Sequence, residues 1–171
     1  LTLWLKQSIQ APPAGPDQSK RGAADYIVEG FVATRFGADG KPLYVLAAKQ
    51  MIHYPRDDTT QLTAPAFSQF DPKQPPIRIS AQHGFVSRDG DHVYLTRNVV
   101  LIREAGPNLE QITARTEALH LQPDNDLAET DQPISVDSKT LKFNAVGMRL
   151  DNKKRVLKLR SRVKATYVPT T

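Results

Sequence analysis

Four alanines, Ala48, Ala81, Ala114 and Ala145, stand 33, 33 and 31 residues apart, and each is followed by the same sequence pattern. An alternating run ends at the alanine, an apolar patch follows, an Asp/Asn turn comes next, and a second run begins. After the turn stand Leu62, Leu95, Thr130 and Leu159, and four residues further Ala66, Val99, Ile134 and Val163. A period of this size marks one supersecondary unit stacked on copies of itself. Such a unit has to bury its apolar face against its neighbours.

Within the unit the period is two. In Ile77-Arg78-Ile79-Ser80-Ala81 every second residue is apolar, and Val93, Leu95, Val99 and Leu101 share one parity. Leu157, Leu159, Val163 and Ala165 do the same, with Lys158, Arg160, Arg162 and Lys164 between them. Alternation places the two sets on opposite faces of a strand. The turns at Asp39-Gly40, Asp57-Asp58, Asp89-Gly90-Asp91, Pro123 to Asp126 and Asp151-Asn152 are short, so successive strands are antiparallel. Leu109, Ile112, Thr116 and Leu119 are spaced as on a helix. The repeat register at Ala114 nevertheless predicts a strand over 109–121.

Residues 1–24 differ. Leu1-Thr2-Leu3-Trp4-Leu5-Lys6 is apolar with Trp and Lys near its end, and 7–24 carry Pro12, Pro13, Gly15, Pro16 and Gly22. Six residues cannot span a bilayer, which takes about 20. They fit the end of a longer anchor or a terminus packed on the domain. The rest divides into a linker up to residue 24, a β domain over 25–168, and a tail at 169–171.

The predicted fold is all-β: antiparallel strand pairs that stack two sheets, close a barrel or wind as a solenoid. Its apolar faces close as a sandwich core or splay into a groove. Large side chains at Phe67, Phe70, Phe85, Leu95 and Phe143 could line such a groove, and each methylene of an acyl chain moved into it contributes about 0.8 kcal/mol. The same residues serve equally as ordinary core. An open stack leaves edge strands, and 155–166 is the edge candidate at the C-terminal end. Leu159 and Val163 on that edge could dock a relative or a second copy by strand addition, while its cations could equally block aggregation. The net charge of +5 favours anionic partners or simply solubility.

Chemistry is not expected. Cysteine is absent, and His53, His83, His92 and His120 show no metal-ligand spacing. Counted from Asp124, position six is Glu129 rather than Gly and position twelve Ser135 rather than Glu; counted from Asp89, position six is Tyr94. Neither is a calcium loop. Ser161 and Lys164 point to opposite faces of a strand, and no nucleotide-binding glycine loop or nucleophile elbow occurs. The basic 153–164 strip lacks the aromatics that single-stranded nucleic acid would want. No catalytic residue, metal or cofactor is predicted, and the chain is read as a non-enzyme; a ligand-free structural β-sandwich is the alternative.

The ordered set Asp39-Gly40-Lys41-Pro42-Leu43-Tyr44, Ala47-Ala48, Ile52-His53-Tyr54 to Leu62, Thr63-Ala64-Pro65, Ser80-Ala81, Val93-Tyr94-Leu95 with Asn98-Val99, Thr113-Ala114 with Leu119 and Leu121, Phe143-Asn144 with Gly147-Met148 and Leu150, and Ser161-Arg162-Val163 with Tyr167 resembles the LptC family of lipopolysaccharide-export proteins over about 25–168. The resemblance implies an open, twisted β-jellyroll of V-shaped cross-section in the periplasm of a Gram-negative bacterium. A single N-terminal anchor would hold it in the inner membrane, with Leu1–Leu5 as its tail. It further implies that lipopolysaccharide slides along the groove. An inner-membrane ABC transporter docked at the upstream end, near Gly40, would supply the energy, and a periplasmic bridge protein would join the C-terminal edge by strand addition. Groove positions carried over by the resemblance are Phe31, Leu62, Leu157 and Tyr167, with Tyr167 also at the docking edge. The chain departs from some relatives at Thr140, where they have glycine.

Overall fold

The computed structural model describes residues 23–154 and 156–167; the N-terminal segment expected to hold anchor and linker lies outside the described residues up to residue 22. Eleven strands follow one another: β1 (Tyr26–Phe36), β2 (Pro42–Tyr54), β3 (Thr59–Thr63), β4 (Ala66–Asp71), β5 (Gln74–Ser80), β6 (His83–Val86), β7 (Val93–Arg103), β8 (Ile112–Gln122), β9 (Leu127–Asp137), β10 (Leu141–Asp151) and β11 (Val156–Tyr167). All pairings are antiparallel. A 3-10 turn at Pro123–Asn125 joins β8 to β9.

The long strands run through two layers. In the first, the strand order is β1, β2, β4, β5, β7, β8, β9, β10 and β11; in the second, β3 and β6 take the places of β4 and β5. Strands cross between layers at a crease of bulges. Register shifts fall between Thr96 and Val99, between Thr116 and His120, and between Asn144 and Met148. Arg97, Asn98, Gly147 and Arg162 lie near this line with positive φ. Bulges bend a strand and increase its local twist, which is how one strand can serve two packed sheets.

The sequence repeat is thereby explained. Ala48, Ala114 and Ala145 are buried in β2, β8 and β10, and Ala81 follows β5 at the same level of the stack. In the first units the crease is sharp enough to break a strand. Strands are interrupted at Ala64-Pro65 and at Ala81-Gln82, and Ala64 N–H donates to Gln82 O at 2.8 Å between the two breaks. Later units keep unbroken strands.

The helix-like spacing before Leu119 has the same origin. Ile112, Ala114 and Thr116 face inward, then the bulge adds a residue, so Leu119 and Leu121 face inward as well. A step of three within a bulged strand imitates a helix face. Leu109 lies outside β8, exposed, in an isolated bridge with Gly106.

Candidate functional site

Two inward-facing rows, one apolar and one apolar except at His53 and Thr60, run along the interior from one edge of the stack to the other. In the first layer Ala33, Leu46, Phe67, Ile79, Leu101, Ala114, Val136, Phe143 and Ala165 are successive cross-strand partners through nine strands. In the second, Tyr26, His53, Thr60, Val86, Val93, Leu121, Ala128, Leu150 and Leu157 do the same. Directly opposed residues share a face of the sheet. Most members are buried or packed on the core.

Burial is not uniform along the rows. At the β1 end Ala33 is 2% exposed and neighbouring Phe31 is 5% exposed. At the β11 end Leu157 is 46% exposed, and Ala165 is exposed too. The interior therefore emerges at β11, where apolar side chains meet solvent. Among the described residues β1 pairs only with β2 and β11 only with β10, so both lie at an edge of the described sheet. Large exposed apolar residues gather on them: Ile27, Val32 and Phe36 on β1, and Val156, Leu157, Val163 and Tyr167 on β11.

Apart from Phe70, half-buried at the register shift near the end of β4, the predicted lining residues fall into three groups. Phe31, Leu62 and Leu95 are buried in the interior, with Phe67 and Phe143 packed against them. Leu157 and Tyr167 lie at the exposed end, Tyr167 opposite Leu141. Phe85 is a correction. Its strand neighbours Gly84 and Val86 are buried, whereas Phe85 pairs with exposed Tyr94 and its ring lies 6.2 Å from that tyrosine, on the outer face. A strand of four residues is too short to carry a readable parity. Gly84, on the inner face, is what the interior needs: a Cβ there would sit 3.2 Å from Pro65.

Of the expected docking residues, Gly40 occupies the β1–β2 turn with φ +77, Leu159 packs on the core, and Val163 and Tyr167 are exposed. The β11 cations are not equivalent. Arg160 is engaged by Asp131, and lies 3.7 Å from Glu129, which Arg149 also holds at 2.7 Å. Thr140 donates from its N–H and Oγ1 to Glu110 Oε2 at 3.0 and 2.9 Å, tying the β9–β10 turn to the β7–β8 connection.

The two layers meet along their free side. Turns of the first layer and turns of the second face each other across this mouth. Arg35 Nη1 lies 3.3 Å from Asp124 Oδ1, and Gln69 Nε2 donates to Asp126 Oδ1 at 3.2 Å. Behind these contacts sits a cavity of about 50 Å³ lined by Tyr44, Phe67, Ile77, Ile79, Leu101 and Leu121, with buried Pro123 at its rim. Tyr44 stacks on Phe67 at 5.6 Å; burial first, then Asp126, raises its hydroxyl pKa.

Tertiary structure also pairs histidines that the sequence keeps apart. His92 Nδ1 and His120 Nε2 lie 2.9 Å apart, with Tyr94 stacked on His120 at 4.4 Å. Burial, then the neighbouring His92, lowers the pKa of His120. His53 sits between Asp25 and Asp58 and stacks on Tyr26 at 4.7 Å. Among the described residues there is no group of three or more His, Cys, Asp or Glu able to hold a metal, and no helix long and apolar enough to cross a membrane. Strand pairing was the missing signal: His92 and His120 are 28 residues apart and meet through the β7–β8 register.

No curated protein matches the sequence. A family model described as lipopolysaccharide-assembly, LptC-related, matches residues 1–168. Among solved structures the fold is similar to the crystal structure of LptH, the LptA homologous periplasmic component of the conserved lipopolysaccharide transport device from Pseudomonas aeruginosa. The TM-score is 0.59 at 8% identity, over 74% of this chain and 95% of that one. At such identity the likeness concerns the fold alone.

Proposed function

From the premise that the chain belongs to the lipopolysaccharide-assembly, LptC-related family and has a role in lipopolysaccharide transport, we propose that it holds the acyl chains of lipopolysaccharide between its two layers and hands the lipid on from an inner-membrane ABC transporter to a bridge protein of similar fold. The observation that carries this reading is the apolar row of the first layer reaching from β1 to β11, joined from β6 onward by an apolar row of the second, both emerging at the β11 edge. Acyl chains gain about 0.8 kcal/mol per methylene in such surroundings, while sugars stay in water outside.

Phe31, Leu62, Phe67, Leu95 and Phe143 would contact acyl chains inside, and Leu157 and Tyr167 where the interior opens. The transporter would dock at the β1 end, near Gly40. The bridge protein would add a strand at β11, where Leu159, Val163 and Tyr167 offer apolar contacts beside the backbone of an edge strand. A second copy could use the same edge in isolation. The domain would stand in the periplasm, held to the inner membrane. No step in this reading breaks or forms a covalent bond in the lipid, so it asks for no catalytic group.

Photocrosslinking in cells tests it. A photoreactive residue at Leu62 is expected to capture lipopolysaccharide, and one at Tyr167 a periplasmic β-protein. Absence of lipid adducts at Leu62 in cells actively exporting lipopolysaccharide would sink the proposal.

A further inference from the structure

The contacts across the mouth have a shape that bears on how a lipid gets in. The 3-10 turn between β8 and β9 belongs to the second layer, yet its Asp124 meets Arg35 from β1 and its Asp126 meets Gln69 from β4, both in the first. The turn is braced from its own layer: Lys153 Nζ donates to Asp124 O at 2.8 Å, and Asn152 N–H donates to Asp126 O at 3.0 Å. Asp126 closes the turn in the left-handed conformation, φ 52. The turn is thus fastened to the second layer through backbone carbonyls and touches the first through side chains.

Those side-chain contacts are weak in kind. Arg35 and Asp124 keep 38% and 45% of their side-chain surface in water, and such exposed pairs contribute little and are screened by salt. What they cover is apolar: Phe67, Ile77, Ile79, Leu101 and Leu121 lie directly behind. The cavity there, about 50 Å³, is far below the 300 Å³ or so at which ligand pockets begin. An acyl chain needs more room, and the layers can part here without breaking a backbone ladder, because among the described residues no strand pairing crosses the mouth.

We propose that the Asp124–Asp126 turn is a lateral gate: its contacts with Arg35 and Gln69 close the interior over Phe67 and Leu101, and they must release for acyl chains to enter from the side. The inference rests on the lipid-carrying reading and names the entry route for it. Polar contacts at the rim let the gate reclose in water after each passage, whereas an apolar seal would compete with the lipid for the same surface.

The chain contains no cysteine, so Arg35→Cys with Asp124→Cys can be joined selectively by a short bismaleimide. The full chain carrying this pair and a photoreactive residue at Leu62 is mixed with lipopolysaccharide, with and without the linker. Each single-cysteine variant treated with the same reagent serves as control. The expected result is at least tenfold slower lipid capture in the linked protein than in the parent, with the unlinked and single-cysteine proteins, which lack the Arg35–Asp124 ion pair, at or above the rate of the parent. Asp124→Lys, which sets like charges across the mouth, is expected to speed capture. Equal capture by linked and unlinked protein would overturn the gate and leave the lipid-carrying reading intact. Capture by none of them, the parent included, would overturn both.

Discussion

His53 Nδ1 lies 2.7 Å from Asp25 Oδ1, a contact that fastens the start of β1 to β2. The other ring nitrogen lies 2.9 Å from Asp58 Oδ1, and Asp25 N–H donates to His53 O at 3.2 Å. One side chain therefore ties the edge strand to the β2–β3 turn. With only 13% of its side chain exposed, His53 works largely out of water, where hydrogen bonds to charged groups count for more. His53→Ala is expected to cost about 2 kcal/mol in urea unfolding, with faster amide exchange confined to the first residues of β1. Exchange accelerated evenly over the whole stack would contradict the local role.

The histidine pair makes stability depend on pH in a definite direction. Burial and the neighbouring His92 hold the pKa of His120 below its ordinary value of 6.5. The unfolded chain then binds a proton more readily than the folded one. The contribution of His120 is present above the unfolded value and declines as pH falls through that value toward the lowered one. The urea midpoint is expected to fall between pH 7 and pH 5, about the ordinary histidine range, and His120→Gln should flatten that fall. An unchanged slope in the variant would remove His120 as its source.

Interior and exit residues should separate stability from binding. Leu62 is 2% exposed, and truncating it to alanine opens a cavity at a cost of about 3 kcal/mol. Leu157→Ala, at the open end, should cost well under about 1 kcal/mol. If Leu157 contacts lipid, its loss should nevertheless lower lipopolysaccharide crosslinking from an adjacent position such as Val156. Crosslinking at the parent level would exclude Leu157 from the path.

Gly147 is fixed by its surroundings. Its φ is +78, and a Cβ there would lie 2.8 Å from the Arg160 side chain. Gly147→Ala combines backbone strain with displacement of the arginine that engages Asp131. A loss of about 1–3 kcal/mol is expected, visible as a lower thermal midpoint. Adding Arg160→Ala should recover part of it, and no recovery would assign the whole cost to the backbone.

Sequence alone determined the strand pairs, the all-β class and the repeat, because alternation and turn chemistry are local and a stack of equal units repeats them. It also marked Leu62, Leu95, Leu157 and Tyr167, through the family resemblance or through parity. The crease lay beyond it. A bulge shifts the parity of everything that follows, so the step from Thr116 to Leu119 looked helical, and Phe85, on a strand of four residues, carried no parity at all. The meeting of His92 with His120 depends on the β7–β8 register, and that of Arg35 with Asp124, at 89 residues' separation, on how far two layers twist about one another. That angle is decided by the packing of all the inward side chains together, and no segment of the chain encodes it by itself.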